Sequence, residues 1–208
     1  MRNTPEIGWF VILCIAATIW SAIQPVDYAT WFFELFIGAI GVAALVVTYP
    51  RFRFSQVVYA LIAVHYIILA CGAKYTYAEM PVFEWLKDVL NLSRNHFDRV
   101  GHFAQGLTPA IVVRELLTRQ TDVAVPWICN ALAVSAALAF SAAYEILEWL
   151  WVILFYPEMG PEWLGMQGDP WDAQADMLMA LLGAAAGIGL IGRLQDSQIR
   201  NLTSRPAD

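Results

Sequence analysis

The chain has 208 residues, 59% of them hydrophobic and 14% charged, with 12 Lys and Arg against 18 Asp and Glu for a net charge of −6. That is too apolar for a soluble domain of this length and fits an integral membrane protein. The acidic balance leaves no basic footprint for nucleic acid.

The three cysteines, Cys14, Cys71 and Cys129, lie far apart in apolar segments. Buried structural thiols are expected rather than a disulfide framework. With no Gly/Ser linker, low-complexity tract or internal repeat, residues 1–208 read as one membrane domain.

The first apolar run covers residues 7–23. Arg2 precedes it as in a signal peptide, but Trp20-Ser21-Ala22 puts a bulky ring where cleavage wants a small residue, so a retained span is expected. Gln24-Pro25-Val26-Asp27 turns the chain into a second span, residues 31–47, with Glu34 in its first turn, where a helix N-terminus tolerates a carboxylate. Gly38 and Gly41 offer a helix-packing face there. The short basic loop with Arg51 and Arg53 leads to a third span, residues 56–71, in which His65 is expected to be a packing residue. Residues 72–95 form the longest polar connection. Lys74-Tyr75-Thr76-Tyr77 is rich in interfacial aromatics, and residues 83–92 have the spacing of a helix lying along the membrane surface.

The fourth span, residues 97–113, is the least apolar. Asp98 and His102 stand four apart and share a face, Arg99 and Gln105 are near them, and Thr108-Pro109 is expected to kink the helix. A polar connection from Arg114 to Asp122 follows, then a fifth span, residues 126–155, opened by Pro126 and longer than the roughly 20 residues a bilayer needs. Glu145 and Glu148 sit three apart near its end, followed by Trp149 and Trp151 at an interfacial belt. The loop to Gly168 holds Pro157, Gly160, Pro161 and Gly165 and no Lys or Arg. Residues 172–192 form the sixth span, and a polar tail ends the chain. Asp169 suits an N-cap before Pro170, and Asp172 and Asp176 share a face. Asp176 lies inside a helix otherwise fit for lipid, where a carboxylate needs a partner. Gly183 and Gly187 make a GxxxG pattern that permits close helix packing.

The expected architecture is therefore all-α, a polytopic bundle of about six transmembrane helices. On the side of the termini stand eight basic residues, Arg2, Arg51, Arg53, Arg114, Arg119, Arg193, Arg200 and Arg205, against Lys74, Lys87, Arg94 and Arg99 on the other. The positive-inside rule then puts both termini in the cytoplasm. Threading the spans this way brings Asp98, His102, Glu145, Glu148, Asp172 and Asp176 to similar depth near the outer face. Carboxylates so crowded in a low dielectric need protons or a counter-cation. Oxygen ligands with one imidazole suit Zn, Mg or Mn, and Arg94 or Arg99 offers a protein cation instead.

These residues carry a resemblance. Asp98-x3-His102, Glu145-x2-Glu148 and Asp172-x3-Asp176 leading into Gly183-x3-Gly187 resemble the VanZ-like membrane proteins over about the last half of the chain, with Glu148 where that pattern has Gln and Ala180 where it has Asn. The whole chain is more similar to the uncharacterised YjdF-like bacterial inner-membrane proteins, through Lys74-Tyr75-Thr76-Tyr77, Arg94-Asn95-His96-Phe97-Asp98-Arg99, Tyr144-Glu145-Ile146-Leu147-Glu148-Trp149 and Gln167-Gly168-Asp169-Pro170-Trp171-Asp172. The resemblance implies a multi-pass inner-membrane location and, through the VanZ-like side, a link to the cell envelope, but no substrate.

Three functions are open at this point. One is a metal-dependent membrane hydrolase or transferase acting on an envelope lipid or lipid-linked molecule. In it Asp98, His102, Asp172 and Asp176 hold a divalent metal, and Glu145, Glu148 and Asp169 are the catalytic candidates. Arg94, Arg99, Gln105 and Gln167 are the substrate-binding candidates. The second is a small ion- or proton-coupled transporter built on the same carboxylates. The third is a non-catalytic, envelope-organising protein in which the polar network only locks helices together.

Overall fold

The structure, a computed structural model, describes residues 7–123, 125–160 and 164–204; Arg2, Pro161 and Arg205 lie outside the described residues. Seven α-helices account for most of them: α1 Gly8–Ala22, α2 Tyr28–Thr48, α3 Gln56–Tyr75, α4 Pro81–Leu90, α5 Phe97–Gln120, α6 Pro126–Phe155 and α7 Asp172–Thr203. No strand is present among the described residues. Helices α2, α3, α6 and α7 are long and apolar enough to cross a membrane. α1 is apolar but shorter, and α5, with its charged N-terminal turns, completes the six spans.

Helix ends follow local chemistry. Asp27 caps α2, its carboxylate accepting from the Thr30 backbone N–H at 2.6 Å and the Thr30 hydroxyl at 2.8 Å. α4 opens with Pro81 at its first turn and closes on Asn91 in the left-handed region at φ 51°. It buries none of its residues and exposes Val82, Trp85, Val89 and Leu90, the character of a helix lying in the membrane interface.

The spans pack as two three-helix groups, α1–α2–α3 and α5–α6–α7, joined mainly through α3 against α5. The α5–α7 seam is the most extensive. It exists because two glycines let backbones touch: a Cβ on Gly106 would overlap the Ala180 backbone, and one on Gly183 would overlap the Phe103 carbonyl. The Gly38/Gly41 pair divides. Gly38 packs on Leu69 and Tyr66, whereas Gly41 faces open space.

α2 and α6 meet at the end of the bundle that carries α4. There Tyr144 donates to Glu34 at 2.6 Å, and the rings of Phe33 and Trp151 lie 5.1 Å apart. Below that junction a cavity of about 610 Å³ separates them, walled also by Tyr66 and Leu69 of α3 and Val112 of α5.

The ends of several helices differ from the hydropathy reading. α5 runs seven residues beyond Val113 to Gln120, so the stretch from Arg114 is helix rather than a polar connection, and α7 runs on from Gly192 to Thr203 rather than fraying into a tail. The reason is a second polar cluster at the end of the bundle that carries the termini. Glu115 accepts from the Ser55 backbone N–H at 2.8 Å, the Ser55 hydroxyl at 2.5 Å and Arg119 at 2.8 Å. Arg114 donates to Asn130 and to Gln195, both at 2.9 Å, and pairs with Asp196 at 2.8 Å. Polar residues that read as loop thus satisfy one another inside the bundle.

Candidate functional site

The site forms at the α4 end, where the first turns of α5 and α7, the last turns of α6 and one turn of α2 converge. On α5, Asp98, His102 and Gln105 follow one helical face. His102 Nδ1 lies 2.9 Å from Gln105 Oε1 and 3.6 Å from Glu145 Oε1, while its Nε2 lies 3.5 Å from Asp98 and 3.8 Å from Asp176. Asp98, His102, Asp172 and Asp176 are all buried. One ligand atom each from Asp98, His102 and Asp176 lies within 4.8 Å of the other two. Glu145 Oε1 is buried and accepts no hydrogen bond.

Asp172 stands in a different relation from the other three. Its Oδ1 lies 2.8 Å from Arg94 and 2.6 Å from Arg99. Both guanidinium groups also reach Asp169, each at 3.2 Å. Arg99 further bonds Asp176 and lies 3.5 Å from Asp98. The two arginines sequence reasoning set aside for a headgroup are therefore held by the aspartates around them. Asp169, the third catalytic candidate, also accepts from the Trp171 backbone N–H at 3.0 Å.

Gln167, read as a substrate contact, pairs with a backbone instead. Its Oε1 accepts from the Asn95 N–H at 2.7 Å and its Nε2 donates to the Asn95 carbonyl at 2.9 Å. It does so from the left-handed region, at φ 57°. Asn95, fully buried, also donates to the Met80 carbonyl at 3.2 Å and to Glu84 at 3.1 Å, and its Oδ1 caps the Phe97 N–H at 3.0 Å. One asparagine thus fixes α4, the start of α5 and the loop that delivers Asp169 and Asp172.

Two small cavities flank the cluster. One, of about 30 Å³, is lined by Glu34, Tyr77, Asp98, His102, Tyr144 and Glu148, and has room for about one water or ion. The other, of about 200 Å³, touches Glu145, Glu148, Leu164 and Asp172. Glu34 is the member that sequence reasoning passed over. The hydropathy boundary makes it a tolerated first-turn acid, whereas it sits in the second turn of an apolar helix and faces Tyr144. The signal that singled out Asp176, a lone carboxylate in an apolar run, applied equally to Glu34. Tyr77 was masked differently: Thr76 and Tyr77 both take left-handed φ values, 53° and 55°, and the ring folds back over Gly72 and Gly101, where a side chain would overlap it.

With seven carboxylates, Glu34, Asp98, Glu145, Glu148, Asp169, Asp172 and Asp176, around Arg94, Arg99 and His102, the cluster has more acid than protein cation. Such a group holds protons, a cation, or both.

A model of the family described as "Predicted membrane protein (DUF2238)" matches residues 7–197. The chain is 41% identical over 198 residues to "Inner membrane protein YjdF" of Escherichia coli (strain K12), covering 95% of this chain and 92% of that protein. No solved structure matches it.

Proposed function

This chain belongs to the DUF2238 family of predicted membrane proteins and is a multi-pass protein of the bacterial inner membrane, and we propose that it is a membrane enzyme, a hydrolase or transferase, working on an envelope lipid or lipid-linked molecule with a divalent cation at the α4 end. The observation that carries this reading is the buried trio Asp98, His102 and Asp176. At metal–ligand distances of about 2.1 Å, tetrahedral ligands stand about 3.4 Å apart. The separations of 3.5 Å and 3.8 Å from His102 Nε2 to the two carboxylates are close to that edge. An imidazole with two carboxylates favours Zn²⁺ or Mn²⁺ over Mg²⁺. Bound there, the cation would acidify a water and polarise a phosphoryl or carbonyl oxygen. Glu145, with an unused buried oxygen beside His102, is the residue for accepting the proton. Asp172 in this reading holds Arg94 and Arg99 rather than the metal.

Elemental analysis of the detergent-purified protein tests it. About one metal per chain in the wild type, lost in Asp176→Asn and His102→Ala while helical circular dichroism persists, is the expected result. Metal-free, well-folded wild-type protein, or variants that keep the metal, would overturn it.

One observation favours a second reading. Arg99 already lies between Asp98 and Asp176, so a guanidinium can serve as the counter-cation and leave His102 and Glu145 as a metal-free acid–base pair. A proton- or ion-coupled carrier would use the same groups. Against it, the groove between the two polar clusters is walled by Leu69, Val112, Phe140 and similar residues, with His65 and Thr108 as its polar points in the middle of the bundle.

A further inference from the structure

The cavity between α2 and α6 is not used by the proposed chemistry, and its shape asks for an occupant. It begins at Glu34, Gln105 and Tyr144, residues that also line the small polar cavity of the site. It ends at Thr48, Phe52 and Phe54 near the far end of the bundle. From Glu34 to Thr48 α2 advances about 21 Å at ~1.5 Å per residue, which exceeds the ~15 Å hydrocarbon depth of one leaflet. The walls between those ends are aliphatic and aromatic, and at hydrocarbon depth such walls are covered by apolar groups rather than water.

Two features of the walls suit an occupant. Gly41 lines it and a Cβ there would meet nothing within 4 Å, so the missing side chain serves no helix contact. Pro109, on the opposite wall, has no N–H to give the Gln105 carbonyl, so that acceptor is left available at the polar end of the groove.

The rim at that end sets the chemistry of what enters. Glu34 lies on it, Asp98 and Glu148 are immediately behind, and the nearby Arg94 and Arg99 are engaged by Asp169 and Asp172. A headgroup there is met by acceptors and negative charge, which complements an ammonium and opposes an uncompensated phosphate. We infer that the groove between α2 and α6 binds one acyl chain of an amine-headed phospholipid, with the ammonium end toward Glu34 and the chain running along Gly41 to Phe52. The inference rests on the proposed function only in making that lipid a substrate; binding itself is independent of the reaction.

The test is native mass spectrometry of the delipidated full-length protein after exposure to dioleoyl phosphatidylethanolamine or dioleoyl phosphatidylglycerol. The wild type is expected to retain phosphatidylethanolamine in preference, at about one lipid per chain. Gly41→Trp, which fills the groove from a position with open space, should lower retention of both lipids about tenfold or more, and Gly41→Ala should leave it near wild type. Glu34→Gln should still retain lipid at about one per chain but lose the preference for the amine. Failure of the folded wild type to retain either lipid would overturn the inference. So would equal retention by Gly41→Trp, or a dimer mass showing that a second copy fills the groove. Metal content measured on the same samples reads the proposed reaction separately, because Gly41→Trp leaves the Asp98–His102–Asp176 trio untouched.

Discussion

Glu115 shows how an acid can be structural while its neighbours one helix length away are candidates for chemistry. It is fully buried and every donor around it is satisfied: Ser55 through both N–H and hydroxyl, Arg119, and Gln195 at 3.4 Å. Glu145, by contrast, has a buried oxygen that no donor reaches. Satisfied groups hold a fold together and unsatisfied ones are available to a ligand or proton. Glu115→Ala therefore strands both Ser55 donors at once, while Gln195 keeps the Ile111 carbonyl and Arg119 the Arg53 carbonyl, and each stranded group costs about 1–3 kcal/mol. The expected outcome is a clear loss of thermal stability in detergent with metal content per folded chain unchanged, measured by scanning fluorimetry and elemental analysis together. Metal loss at full stability would mean that the two clusters communicate and that Glu115 is not merely structural.

Among the elements, α2 is legible at one end and obscure in the middle. Its cap is written in the sequence: Asp27 followed three residues on by Thr30, just before an apolar run. The bonds from the Thr30 N–H and hydroxyl hold the Asp27 carboxyl below its usual range despite partial desolvation. Loss of such a cap costs about 1 kcal/mol. Because the folded-state value is depressed, the contribution is complete above the ordinary aspartate value of about 3.9 and disappears as pH falls through the lowered one. Asp27→Ala should thus melt lower than wild type at neutral pH, with the gap closing in acid below about pH 4; a gap that persists there would mean the carboxylate is not the source.

The spans were readable because hydropathy marks where a helix meets lipid. Their ends were not, because α5 and α7 continue past the lipid on the strength of partners such as Arg114–Gln195 that are far apart in sequence. The site was legible as co-facial pairs, Asp98 with His102 and Asp172 with Asp176. What spacing could not give was which carboxylate each arginine takes, or that Asn95 organises the loop, since both depend on long-range closure.

At the scale of the molecule, burial of the arginines bears on sidedness. Arg94, Arg99 and Arg114 are engaged in ion pairs within the bundle, so they contribute little to the charge that membrane insertion reads. Arg119, paired with the buried Glu115, drops out with them, which leaves Arg2, Arg51, Arg53, Arg193, Arg200 and Arg205 of the eight on the side of the termini and Lys74 and Lys87 of the four on the other. The bias toward a cytoplasmic terminal end is thus stronger than the raw count of eight to four suggested. A cytoplasmic terminal end would put both helix α4, with Trp85 62% exposed, and the candidate site at the outer leaflet. In a background with Cys14, Cys71 and Cys129 replaced, Trp85→Cys should react with a membrane-impermeant maleimide in spheroplasts, and Arg200→Cys only after the membrane is opened. The reverse pattern would move the acidic cluster, and any lipid it serves, to the cytoplasmic leaflet. The geometry of the site would survive that result, but a lipid substrate of the kind proposed would then be drawn from the pool made inside the cell rather than the one displayed outside it.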